Sequence, residues 1–174
     1  MKIRTQASAA LSHLAELIEP LSVAVLTVSD DDDARSSCLV TPLEMDSGGA
    51  LWCFVDLRSS MVEHMSSVEL AFSAAGRSTH VWLSGRGEVS DDPARIARLW
   101  TAAAAPCFPD GPGSPDLLLL KVIARTAESW DAPNARLVDL FAPAAPVAAR
   151  SHTGRGSHDA VSGLSRRSPQ LTLR

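Results

Sequence analysis

The chain has 174 residues, 45% of them hydrophobic, which is long enough for one domain with a sizeable core. Its net charge of -4 hides an asymmetry: residues 1–142 hold 11 Lys/Arg against 19 Asp/Glu, while residues 143–174 hold 5 Arg and 1 Asp. So acidic a domain argues against nucleic acid as a partner, because phosphate contacts need clustered cations.

Residues 5–18 read as a helix, with Ala10, Leu11, Leu14, Leu17 and Ile18 at helical spacing and Pro20 just beyond. A β-branched run at 22–28 predicts the first strand, and Asp30-Asp31-Asp32-Asp33 the turn after it. Those four carboxylates lack the spaced ligands, central Gly and closing Glu of a calcium loop. Residues 36–44 and 50–56 read as the next strands, joined by Ser47-Gly48-Gly49 as an antiparallel meander. Ser60-x-x-Glu63 matches a capping box, predicting a short helix with Met61, Val62 and Met65. Strands at 68–73 and 80–89 follow, around a turn at Gly76-Arg77-Ser78. Asp92 then caps a helix with Pro93 at its first position and Ile96, Leu99 and Trp100 on one face.

A Pro/Gly-rich loop leads from Trp100 to Leu117-Leu118-Leu119-Leu120. That run has no alternation, so residues 117–123 read as a strand buried on both faces. Residues 136–141 could pair as a final strand, and residues 143–174 read as a disordered basic tail. The fold class is mainly β (β plus α): six or seven antiparallel strands in a closed or half-closed barrel, with helices at its edges. Cys38, Cys53 and Cys107 sit at no metal-binding spacing, so no metal site is expected. No apolar run approaches a membrane span, and residues 1–20 lack a signal peptide's core, so the chain reads as cytoplasmic.

Trp100, the Phe108-Pro109-Asp110-Gly111 loop, Pro115-Asp116 before the Leu-rich strand and Glu128-x-Trp130-Asp131 at its end together form a pattern. It resembles the general stress proteins of the pyridoxamine 5'-phosphate oxidase-like superfamily, over roughly residues 8–142. The resemblance implies a homodimeric split β-barrel domain over 1–142 that binds FMN at the subunit interface. On the phosphate side, Cys38, Leu39 and Val40 stand where the family has Arg-Pro-Met, and Ser59, Ser60 and Met61 where it has Ser-x-Lys. Both cationic positions are thus replaced, and Arg58 is the nearest substitute. On the ring side, Phe54, Val55 and Asp56 match the strand whose backbone meets the isoalloxazine edge. His80 falls where the oxidases have Gln, and Trp100, Phe108 and Trp130 are candidates to cover the ring from the partner subunit. Trp52 and Trp82 are assigned to packing.

Of the oxidases' substrate-facing Arg-x-His, Arg136 remains and Val138 replaces the His; Leu140 replaces a further Arg. Vitamin B6 oxidation is therefore not expected. Three functional readings follow: an FMN-binding stress protein or reductase of loose specificity; a flavin-free dimeric barrel acting as a ligand-binding or interaction module; and a split barrel using haem, for which only His64 and His80 offer an axial ligand. Cys38 could be a reactive thiol in the former Arg slot or a buried, inert one.

Overall fold

Each apolar run is too short to cover itself, and together they pair into one sheet. The computed structural model describes residues 1–30, 34–73, 79–131 and 136–141, with the backbone alone from Asp131 onward. Its strands are β1 (Lys2–Ile3), β2 (Ala24–Ser29), β3 (Arg35–Val40), β4 (Pro42–Met45), β5 (Leu51–Asp56), β6 (Val68–Phe72), β7 (Thr79–Ser90), β8 (Leu117–Asp131) and β9 (Arg136–Phe141). Two helices, α1 (Ala9–Ile18) and α2 (Pro93–Leu99), accompany them. The order across the sheet is β1-β4-β5-β8-β7-β6-β2-β3, with β9 also on β8. Every pairing is antiparallel except that of β1 with β4. The sheet curls until β3 comes back against β5, yet no ladder among the described residues closes it. This is a half-barrel, the mainly β split-barrel class expected, with more strands than the six or seven counted in the sequence.

The differences have local causes. The expected strand at 36–44 is two, because Pro42 has no N–H to donate and the chain changes partner there: β3 pairs with β2, and β4 with β5. Only two residues long, β1 carries no readable period. β8 continues past residue 123 to Asp131, its weakly patterned second half held by β7 on one edge and β9 on the other. α1 starts at Ala9 rather than residue 5, since the Ser8 hydroxyl accepts from the Leu11 N–H at 3.3 Å and caps it there. The expected capping-box helix is a short 3-10 helix, Ser60–His64, capped by Ser59 instead, whose hydroxyl accepts from the Met61 N–H at 3.3 Å. Asp92 caps α2 as expected, accepting from the N–H groups of Ala94 (3.0 Å) and Arg95 (3.1 Å). The turn residues 31–33 and 76–78 and the expected tail, 143–174, lie outside the described residues. No helix among the described residues is long and apolar enough to cross a membrane.

Two hydrophobic clusters lie on opposite faces of β5 and β8. Leu118, Leu120 and Val122 join Leu14, Ile18, Leu26, Leu70, Phe72 and Leu83 inside the curl, under α1. Leu117 and Leu119 point the other way, into Trp52, Ile96, Leu99 and Phe108 beneath α2 and its loop. A strand covered on both faces can be apolar at every position, and each buried Leu contributes about 1.5–3 kcal/mol.

The curl tightens at a register shift between Ser84 and Gly85, opposite β8. A Cβ at Gly85 would fall on the Ile123 carbonyl oxygen and within 2.9 Å of the Ala124 Cα, both backbone atoms with little room to move. At Gly113 a Cβ would meet nothing within 4 Å. Gly85→Ala is expected to destabilise by about 1–3 kcal/mol or more, and Gly113→Ala to stay within about 0.5 kcal/mol. Urea denaturation of the two variants checks this. Equal midpoints would refute the close approach.

Candidate functional site

The end of β5 has an open edge. β4 accompanies β5 only as far as Cys53, which faces Pro42; Phe54, Val55 and Asp56 pair with Leu119, Leu118 and Leu117 of β8 and have no strand on their other side among the described residues. β3 folds back beside this edge, bringing Cys38 within electrostatic reach of Cys53. The chain leaving β5 is knit down at once: Leu57 N–H donates to the Asp116 carbonyl (2.8 Å) and Ser59 N–H to that of Asp56 (3.0 Å). The candidates at 38–40 and 54–61 are therefore brought together.

They do not make a cationic pocket. Leu39 is 74% exposed and Val40 is buried, while Met61, at 6% exposure, belongs to the main core and does not face a ligand. Ser60 is exposed, and the Ser59 hydroxyl already caps the 3-10 helix. Arg58 donates through Nε (3.2 Å) and Nη2 (3.1 Å) to Asp56 and lies 3.4 Å from the Asp116 carboxylate. Hydrogen bonds from Arg58 hold the Asp56 carboxyl below its ordinary range, and the same bonds raise Arg58. Two carboxylates against one guanidinium leave this end net negative. A flavin phosphate, with about two negative charges, does not fit it. What residues 54–56 do offer is a main-chain edge with no strand partner among the described residues.

The ring-covering candidates fall elsewhere. His80 and Trp130 pack against each other with ring centroids 5.4 Å apart, and with Phe72, Trp82 and Glu128 they line a cleft of about 310 Å³. Trp82 is corrected here: it is 45% exposed on the cleft wall rather than packed in the core. The alternation of buried Val81 and Leu83 with His80 and Trp82 was the signal for it. Trp100 and Phe108 pack on Phe54 (5.8 and 6.2 Å between centroids) in the cluster under α2, so Phe108, which is buried, offers no free face. Arg136 begins β9, opposite Asp131; its side chain lies outside the described residues. Trp52 is buried as expected. The candidates thus form two groups, one beside Leu117 and one beside Trp130, separated by on the order of 40 Å of strand along β8.

Sequence reasoning missed a third cluster. Glu44, only 2% exposed, pairs with Arg4 (3.4 Å) and with Arg95 (3.1 Å), and Arg95 lies over the Trp52 ring at 3.4 Å. A lone Glu in an apolar strand was its one trace in the sequence. Among the described residues, no group of three or more His, Cys, Asp or Glu could hold a metal.

A family model described as pyridoxamine 5'-phosphate oxidase like matches residues 9–152. Among solved structures, the chain is similar to a Clostridium acetobutylicum protein related to general stress protein 26 of Bacillus subtilis, of the pyridoxinephosphate oxidase family. The TM-score is 0.66 at 20% identity, over 76% of this chain and 94% of that one. A general stress FMN/FAD binding protein from Xanthomonas citri gives 0.58 at 24% identity, over 71% and 89%. A pyridoxamine 5'-phosphate oxidase-related, FMN binding protein from Nostoc punctiforme gives 0.58 at 13% identity, over 75% and 93%. No curated protein matches the chain. At such identities these likenesses carry the fold alone.

The three thiols differ in environment, and their reactivity is expected to follow. Burial, with a smaller contribution from Cys38, raises Cys53 from 9.0 to about 12; burial also raises Cys38, and Cys107 is exposed. Alkylation at about pH 8 read by mass spectrometry should modify Cys107 first, Cys38 slowly and Cys53 only on unfolding. Because the fold keeps Cys53 protonated, its contribution to stability is intact below pH 9.0 and is lost as pH rises towards about 12. Labelling of Cys38 ahead of Cys107 would mean an activated thiolate and overturn this reading.

Proposed function

The chain belongs to the pyridoxamine 5'-phosphate oxidase-like family, and we propose that it is a flavin-binding split-barrel protein of the general stress type, which grips the flavin by its ring rather than its phosphate. The observation that carries this reading is the unpaired edge of β5 at Phe54, Val55 and Asp56, lying beside Cys38, Leu39 and Val40. Main-chain N–H and C=O groups left open at an edge seek partners, and the rim of an isoalloxazine offers both donors and acceptors. A bound flavin supplies electron transfer that protein side chains cannot. This chain's part is to orient the ring along β5 and leave one face open to a small donor or substrate. Val138 and Leu140 lack the directional donors that a pyridoxal-type substrate requires, so that substrate is not the one used.

Phosphate recognition is the weak element. Each hydrogen bond to a charged group contributes about 1.5–3 kcal/mol. Two cationic contacts fewer, at Cys38 and Met61, weaken binding by a factor of about 10² to 10⁴. The protein acts as a cytoplasmic homodimer in this reading. Two observations support the dimer: the candidate residues split into groups at opposite ends of β8, and Val23, Val25, Leu39 and Leu57 are exposed apolar side chains. A flavin-free dimeric barrel serving as a ligand-binding or interaction module is the second reading, favoured by the capture of Arg58 between two carboxylates.

Titration followed by flavin fluorescence should find FMN and riboflavin binding within about tenfold of each other. Cys38→Arg is expected to tighten FMN by about tenfold or more and leave riboflavin unchanged. Met61→Lys is the poorer variant, because it would bury an ammonium in the core. Failure of both flavins to bind at about 100 µM would favour the flavin-free barrel. Light scattering of the full chain should report a dimer, and a monodisperse monomer would reject that part of the proposal. With flavin bound, pyridoxamine phosphate turnover near about 1 per second would reject the exclusion of vitamin B6 oxidation.

A further inference from the structure

We propose that the cleft between α2 and the β4–β5 turn binds a small, multiply charged anion of the phosphate-ester or polycarboxylate class, at a site separate from the flavin segments. The cleft encloses about 470 Å³, within the range of small-molecule sites and larger than one inorganic ion needs. Its charged lining is Arg4, Arg95, Arg98 and Lys121 against Glu44 and Asp46. Four cations against two carboxylates reverse the sign of a domain that is otherwise strongly acidic.

Both carboxylates are already engaged by the fold. Asp46 accepts from the N–H groups of Gly48 and Ala50, each at 3.0 Å, and from Trp52 Nε1 at 3.1 Å, which fixes the turn. Buried Glu44 anchors Arg4 and Arg95 on the cleft wall. Arg95 is further held flat on Trp52, and its buried Nε has no hydrogen-bond partner, an unusual concession for an interior donor. Arg98, one turn along the same side of α2, makes no hydrogen bond or ion pair among the described residues. Lys121 lies 3.7 Å from Glu88 and 5.6 Å from the centre of the Trp52 ring. Two arginines three residues apart repel each other, and an anion between α2 and Lys121 would relieve that repulsion. The cleft reaches Ala50, just before β5, and the candidate flavin edge begins at Phe54, on the order of 13 Å of chain away.

Calorimetric titration of the full chain with pyrophosphate and with citrate, at low salt, tests the site. At least one probe is expected to bind with one-to-one stoichiometry below about 1 mM, and the preferred probe tells phosphate-ester from polycarboxylate chemistry. Arg98→Gln and Lys121→Gln should each weaken it by about tenfold. Arg35→Gln on β3 makes the same change in net charge and should leave it within about twofold. Arg98 is exposed on its helix, so that variant folds normally. Saturating riboflavin, which has the ring but no phosphate, should not change the anion's affinity, and the anion should bind whether or not a flavin does, which separates this site from the flavin reading. Absence of binding by either probe up to about 10 mM would overturn the proposal. So would an equal loss in Arg35→Gln, or displacement of the anion by riboflavin.

Discussion

The double burial of Leu117, Leu118, Leu119 and Leu120 is the constraint on which the rest of the structure depends. Four consecutive apolar side chains in a strand point alternately to two faces, and both faces must be covered. One cover is the curl of the sheet itself, closed by α1; the other is α2 and the Pro/Gly-rich loop, pinned through Trp52, Ile96, Leu99 and Phe108. Because β8 is central, it takes β7 along one edge and β5 then β9 along the other. A second core outside the barrel follows from that placement, and with it the cleft beside α2.

The split in the barrel has an equally local origin. Pro42 cannot continue the ladder that β3 makes with β2, so the chain restarts as β4 against β5 and is already paired with Cys53 at its first residue. What remains of β5 beyond Cys53 is an open edge. Proteins manage such edges by covering them or by using them. Here the edge lies next to the half-buried Cys38 and the exposed Leu39.

Charge divides the molecule's two polar regions by sign. At the end of β5 Asp56 and Asp116 share Arg58, which leaves the locality anionic. At α2 the carboxylates serve as internal anchors, which leaves Arg98 and Lys121 facing the cleft. The same residue types therefore do opposite things, according to whether the acid or the base is the one consumed by the fold. Part of that pairing is decided by neighbours distant in sequence, Asp116 for Arg58 and Glu44 for Arg95.

Much of the fold was legible in the chain. Hydrophobic period placed the strands, capping chemistry placed α2, the unbroken Leu run announced a strand buried on both faces, and the family pattern at Trp100, 108–111 and 128–131 pointed to the split barrel. These signals are local: a period, a cap and a turn act within a few residues. The sequence by itself also determined that no cation stands at Cys38 or Met61. Only tertiary structure decided that Met61 is a core residue, that Arg58 is held by Asp116 as well as Asp56, and that Trp82 lines a cleft. The pairing of Glu44 with Arg4 and Arg95 spans 40 and 51 positions, and its register comes from strands meeting across the sheet. Those contacts are set by the way the curled sheet folds distant segments together, and no periodicity within one segment records them.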